Sequence, residues 1–167
     1  NKNIINDLNL NISFGDKVLV LGKSGSGKTT FLKILSGLTP ITSGKIYSGK
    51  IRNENFLRFK EPISFLSQEN FIVDKKSIFY NICLKDRVNA TDKEISEFER
   101  VIRLANLKEL FEKLPFREET KLNENGSNLS GGEKQRICLA RCLYNNHKLL
   151  IMDEPFSSID KHNSDEI

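Results

Sequence analysis

A chain of 167 residues with 38% hydrophobic and 29% charged side chains has the makeup of one globular domain, or a core with one inserted subdomain, and excludes a disordered or bilayer-embedded polypeptide. No apolar run approaches the roughly 18 residues that a bilayer span needs, and no signal-peptide pattern is read, so a membrane role is expected to pass through a partner or through further polypeptide. The net charge of +4 is mild, and lysines interleaved with glutamates in "KELFEKLPFREETK" read as a solvated face, so no nucleic-acid partner is expected.

In chain order, "IINDLNLNISFGDKVLVLG" alternates Leu8, Leu10, Ile12 and Phe14 with polar residues. This predicts a strand, a tight turn at Gly15-Asp16 and a second strand, "KVLVL", apolar enough to be buried on both faces. "GKTTFLKILSGL" has helical spacing at Phe31, Ile34 and Leu35, with Gly37 placed to end the helix. "TPITSGKIYSGKI" is turn chemistry around short strands, and "PISFLSQ" is a further strand ending in Gln68.

The character then turns helical. "TDKEISEFERVIRLA" opens with a capping box, Thr91 and Glu94, and places Ile95, Phe98, Val101, Ile102 and Ala105 on one stripe. "LKELFEKL" repeats the pattern until Pro115, and "REETKLNENGSN" reads as a polar loop. The helix "GGEKQRICLARCLYN" and the apolar run "KLLIMDEP" follow. Strand, helix, inserted helices and strand in that order suggest a parallel α/β core with a helical insertion. Cys83, Cys138 and Cys142 make no even disulfide framework and fit a reducing compartment. Cys138 and Cys142, one helical turn apart, could hold a metal, but no matching ligand pair follows, and small buried hydrophobes explain them better.

"GKSGSGKT", Gly22 to Thr29, fits the phosphate-loop pattern of a glycine, four residues, then Gly27-Lys28-Thr29. Glycines let backbone N–H groups curl around phosphate oxygens, and the helix that follows offers its positive N-terminus. Lys28 can reach the β- and γ-phosphates, and the Thr29 hydroxyl can ligate Mg²⁺. "LLIMDEP" puts Asp153 and Glu154 at the carboxyl end of an apolar strand, where open α/β sheets bind ligands. Asp153 suits Mg²⁺, directly or through water, and Glu154 suits the base that orients or deprotonates an attacking water. A hydrophobic run followed by "DE" is common by itself; the phosphate loop in the same chain gives it meaning.

A second cradle stands far downstream in "LSGGEKQR", Leu129 to Arg136. Ser130 and Glu133 form a capping box, which explains a plain helix start. They do not explain Gly131 and Gly132 in the first turn, each costing up to about 1 kcal/mol of helix propensity. Close approach of an anion to the backbone would.

"LSGGEKQR" resembles the signature motif of ABC ATPases, and the motif order follows that family along nearly the whole chain. Gly22 to Thr29 resembles Walker A, Leu149 to Asp153 resembles Walker B with the catalytic glutamate at Glu154, and Ser157 to Asp160, "SSID", is similar to the D-loop. Gln68 resembles the Q-loop glutamine, which in the family contacts Mg²⁺ and the attacking water and abuts the membrane domain. "LPFREETKLNENGSNLSGG" further resembles the exporter subgroup, whose loop before the signature carries a glutamate where Glu124 stands.

The resemblance implies a P-loop NTPase fold, a mainly parallel sheet with an inserted helical subdomain. Residues 1–68 and 144–167 would form the core and 69–143 the insertion, with the core incomplete at its C-terminal end. It implies ATP and Mg²⁺ as cofactors. Gly22, Lys23, Ser24, Gly25, Ser26, Gly27, Lys28, Thr29 and Thr30 would bind the nucleotide, with Ser130, Gly131 and Gly132 completing a partner chain's site. Glu154, Lys28 and Gln68 would be catalytic, and Thr29, Gln68 and Asp153 would hold the metal. It also implies a head-to-tail dimer, because each nucleotide lies between one chain's phosphate loop and another's signature helix. The expected function is the motor of an ABC exporter, docked on transmembrane domains at the cytoplasmic face of a membrane, the bacterial inner membrane being the expected one.

Departures from the family pattern are Lys23 in the phosphate loop, Phe156 where threonine is common, and a segment after Gln68 one residue longer than usual. The adenine-stacking aromatic and the switch histidine are not found, and His147 and His162 read as surface residues. The isolated 167 residues are therefore expected to be monomeric and nearly inactive. The rivals are a soluble ABC-type ATPase acting on nucleic acid or ribosomes, and a regulatory domain that binds ATP without turnover. No long heptad insertion fits between Gln68 and Ser130, and Glu154 argues against lost turnover.

Overall fold

The computed structural model describes residues 4–49, 51–53, 63–144 and 147–155. Its elements are α1 (Lys28–Leu35), β1 (Ile46–Ser48), β2 (Ile51–Asn53), β3 (Ser64–Leu66), α2 (Ile78–Cys83), α3 (Asp92–Leu104), α4 (Lys108–Lys113), α5 (Gly131–Tyr144) and β4 (Leu150–Met152). They group into two compact units, Asn1–Phe65 with His147–Asp153, and Leu66–Asn146 with Glu154–Ile167.

In the first unit the turn at Gly15 forms as expected, with Gly15 at φ 92°. The Asp16 N–H donates to Ser13 O at 3.1 Å, and the Asp16 carboxylate accepts from the Ser13 N–H at 2.7 Å. The two strands expected on either side of that turn do not form. Residues 8–12 and 17–21 are irregular, and Leu8, Val18, Leu19 and Leu21 are exposed, Leu21 by 81%. Alternation specifies a face, and a face becomes a strand only when a neighbouring ladder takes its N–H and C=O groups. Among the described residues this segment meets none.

Helix α1 forms where predicted and ends as predicted. Gly37, at φ 75°, donates its N–H to Ile34 O at 3.0 Å, and Leu38 donates to Lys33 O at 2.9 Å. Those two bonds are a Schellman motif, which only a residue tolerant of the left-handed region closes cheaply. Strands β1 and β2 pair antiparallel, Ile46 with Asn53 and Ser48 with Ile51, around Gly49. Strands β3 and β4 form a second two-stranded sheet, in which Ser64 N–H donates to Leu149 O at 3.0 Å. His147, expected at the surface, is half-buried, because its Nδ1 is hydrogen-bonded to the Ser64 hydroxyl. A strand-end hydroxyl gave the imidazole a partner that chain distance concealed.

The second unit holds the hydrophobic core. Ile78, Phe79 and Ile82 of α2 are fully buried, Phe98, Val101 and Ile102 come from α3, Leu110 and Phe111 from α4, and Ile137, Leu139 and Ala140 from α5. Each large side chain so buried contributes about 1.5–3 kcal/mol before entropy is charged against it. Phe98 lies between two rings, 4.6 Å from the Phe79 centroid and 6.1 Å from that of Phe111. The Thr91–Glu94 capping box starts α3: Glu94 N–H donates to Thr91 Oγ1 at 3.3 Å and Thr91 N–H to the Glu94 carboxylate at 2.8 Å. Cys83 and Cys138 sit in the core and Cys142 against it, as small apolar side chains do.

"REETKLNENGSN" is more than the polar loop expected from composition. Lys75 N–H donates to Leu122 O at 2.8 Å, Leu122 N–H to Lys76 O at 2.9 Å, and Ile78 N–H to Thr120 O at 3.2 Å. Leu122 is 1% exposed. One buried leucine and a short ribbon organise it, and the surrounding charges masked both.

The segment after Gln68 is fastened to α5 by a buried polar cluster. Asn81, fully buried, accepts from Val73 N–H at 2.7 Å and donates to Val73 O and Ser77 O, each at 3.1 Å. Arg141 donates to Phe71 O at 2.8 Å and to the Asn81 carbonyls.

Candidate functional site

Gly22 to Thr29 makes a tight loop that runs into α1. Gly25 and Gly27 take φ 74° and 95°, a region that side-chain-bearing residues enter only with strain. A Cβ on Gly22 would come within 2.6 Å of Ser26 Oγ, so a side chain there would make the Ser26 hydroxyl turn away. Lys28 Nζ donates to Gly22 O at 2.9 Å and Lys23 O at 3.1 Å, which curls the ammonium back over the loop. The first N–H groups of α1 have no intrahelical acceptor. An ammonium folded over uncovered N–H groups, with glycines holding side chains away, fits a phosphate.

Asp153 directly follows β4 and is 4% exposed. Among the described residues no hydrogen bond or ion pair joins it to Lys28 or Thr29, all three belonging to the first unit. Glu154 belongs to the second unit, together with Gln68 and the signature helix. Gln68 Nε2 donates to Glu154 Oε2 at 3.0 Å, so the structure brings together the two residues read as catalytic partners.

The capping box at Ser130 forms. Glu133 N–H donates to Ser130 Oγ at 3.3 Å, and Ser130 N–H to the Glu133 carboxylate at 2.7 Å. Gly131 is exposed and Gly132 half-exposed at the start of α5, which leaves this backbone open to an anion. Glu124 lies exposed on a 3₁₀ turn, and the next residue, Asn125, donates its N–H to Asp74 Oδ1 at 2.6 Å. Phe156, Ser157 to Asp160 and His162 lie outside the described residues.

One site residue escaped the sequence reading. Gln135, 1% exposed, donates Nε2 to the backbone carbonyl of Glu154 at 3.2 Å. Its signal was positional: it precedes the buried Cys138 and Leu139 by three and four residues, and an amide on the core side of a helix needs a partner.

Charge placement follows the same elements. The Lys85 ammonium and the Thr91 cap pull the Glu94 carboxyl down to about 2. Burial pushes the Cys83 thiol up to about 12 and Cys142 up to about 11, and raises Cys138 as well. These thiols are protonated at neutral pH, as buried structural cysteines are.

A glycine-lined phosphate loop opening one helix, a carboxylate pair ending a strand, and a capped, glycine-started second helix define an ATP-binding domain of the P-loop class. The family model described as ABC transporter matches residues 5–157, and the chain belongs to that family. The lacticin-481/lactococcin-DR transport/processing ATP-binding protein lcnDR3 of Lactococcus lactis subsp. lactis is 37% identical over 163 residues, 98% of this chain and 22% of that protein. The thiamine import ATP-binding protein ThiQ of Histophilus somni (strain 129Pt) is 32% identical, over 96% of this chain and 71% of that protein. Among solved structures, a bacterial Atm1-family ABC exporter with ATP bound superposes with a TM-score of 0.70 at 25% identity, covering 87% of this chain and 25% of that one. The chain thus spans 22% of the lacticin-481 relative.

Proposed function

We propose that this domain hydrolyses ATP as the motor of an exporter, working through transmembrane domains and through head-to-tail pairing with a second ATPase domain. The hydrolytic part rests on one observation, the 3.0 Å hydrogen bond from Gln68 to the Glu154 carboxylate. An amide that donates to a carboxylate fixes the direction of its lone pairs, as a base that orients water requires. Lys28 and the N–H groups of Gly22 to Thr30 bind the phosphates, and Ser130, Gly131 and Gly132 receive the phosphates held by the other domain. Thr29 and Asp153 offer a hydroxyl and a carboxylate, hard oxygen donors that fit Mg²⁺, which when bound neutralises charge on the β- and γ-phosphates.

Two phosphate-binding features in one chain support pairing, since one nucleotide needs one of each. The export direction is supported by Glu124 in the loop before the signature and by relatives named as transport/processing proteins. A second direction, import with the ATPase as a separate subunit, is favoured by the ThiQ relatives. Hydrophobic spans encoded in the same polypeptide would decide for the exporter. The bacterial inner membrane is the expected site.

The experiment is Glu154→Gln in the full-length protein. ATP binding should persist, turnover should stall, and a nucleotide-trapped dimer should accumulate in a mass measurement. Hydrolysis at the parent rate would remove Glu154 from its role.

A further inference from the structure

We infer that Gln135 is a positioning residue for Glu154: its buried side-chain amide, held on the signature helix, fixes the backbone from which the carboxylate projects. The inference rests on the reading of Glu154 as the base. Glu154 takes φ 50°, a region costly for a residue with a side chain. The next residue is Pro155, whose ring narrows the conformations open to the residue before it. A doubly restricted backbone does not hold itself; something outside must determine it.

Two contacts reach Glu154 from the second unit. Gln68 Nε2 meets the carboxylate at 3.0 Å, and Gln135 Nε2 meets the carbonyl oxygen at 3.2 Å. They differ in rigidity. Gln68 is exposed on an irregular segment, whereas Gln135 is 1% exposed and sits on α5 between the Ser130 cap and the core residue Ile137. The first contact aims the carboxylate, and the second anchors the chain that carries it. An amide suits the task because it donates without charge, and a cation or carboxylate there would bring charge into a buried place.

The test uses the full-length protein with Gln135→Met, which keeps length and removes the donor, and Gln135→Glu, which keeps shape and turns the donor into an acceptor. In both, kcat for ATP should fall about 10-fold or more while the KM for Mg-ATP stays within about 2-fold, because binding residues are untouched. In a Glu154→Gln background, adding Gln135→Met should lower residual turnover no further, since both changes act through one group. Gln135→Asn should recover less turnover than the parent because its amide is shorter by a methylene. Parent-like kcat in the folded Met or Glu variant, additivity in the double variant, or loss of ATP binding in all three variants would each overturn the inference. Glu154→Gln at the parent rate would instead overturn the assignment of the base, so the two failures are distinguishable.

Discussion

Gln68 and Glu154 lie 86 positions apart in the chain and share a 3.0 Å hydrogen bond. Both residues belong to the second unit, the glutamine two positions after β3 and the glutamate two after β4 in the chain. Gln68→Met keeps the length of the side chain and removes its donor. Turnover should fall about 10-fold or more with ATP binding retained, a part of the roughly 10²–10⁴ that a positioned base contributes. A coupled-enzyme ATPase assay with a fluorescent-nucleotide binding titration checks it, and unchanged turnover would show the bond to be incidental.

Lys28 does two things in the first unit. Its ammonium bonds Gly22 O and Lys23 O, and under the proposed function it is also the cation that meets the phosphates. Lys28→Met should therefore weaken ATP binding by about 10–100-fold, as expected when a charge-assisted bond is lost. Isothermal titration would measure it, with circular dichroism confirming that α1 persists.

Asn81 is the keystone of the polar cluster beneath the segment after Gln68. Asn81→Leu leaves the Val73 N–H and carbonyl and the Arg141 guanidinium without that partner. The cost should be about 2–4 kcal/mol, from several buried groups left unsatisfied. Urea unfolding followed by fluorescence or circular dichroism would show a lower midpoint; an unchanged midpoint would mean that the cluster is replaceable.

Glu94 provides a pH handle. Its carboxyl is held down at about 2, against an ordinary 4.5, by Lys85 and the Thr91 cap. A carboxyl whose pKa is lower in the folded state stabilises the fold above its unfolded value and loses that contribution as pH falls through the folded one. Thermal stability should therefore drop between pH 4.5 and 2, and Glu94→Gln should flatten that limb. Melting curves across the acid range decide it; identical limbs would leave the cap without electrostatic weight.

Local chemistry was the legible part of this chain. Capping boxes at Thr91 and Ser130, the Gly37 stop and the Gly15 turn each need residues only a few positions apart, and each stands where sequence puts it. The tight turn through Gly25 and Gly27 into the helix at Lys28 was legible for the same reason. Pairings across long stretches were not: nothing in "HKLL" announces that His147 meets Ser64, and nothing around Leu122 announces the ribbon with Lys75 and Lys76. The alternation through Leu8 and Leu10 described a surface without naming a neighbour for it. Gln135 lay inside the quoted motif, yet its partner is a backbone atom, which carries no mark in sequence.

The ribbon joining Lys75 and Lys76 to Leu122 has a further consequence. It closes a loop that contains α2, α3 and α4, and it brings the segment leaving Gln68 alongside the segment approaching Ser130. Closing such a loop costs only about 0.6 kcal/mol more for each doubling of its length. Val88, on the 3₁₀ turn between α2 and α3, is 89% exposed, so added residues there would displace no buried side chain. The segment that follows Gln68 and the helix that starts at Ser130 can therefore keep their register while the polypeptide between them grows or shrinks.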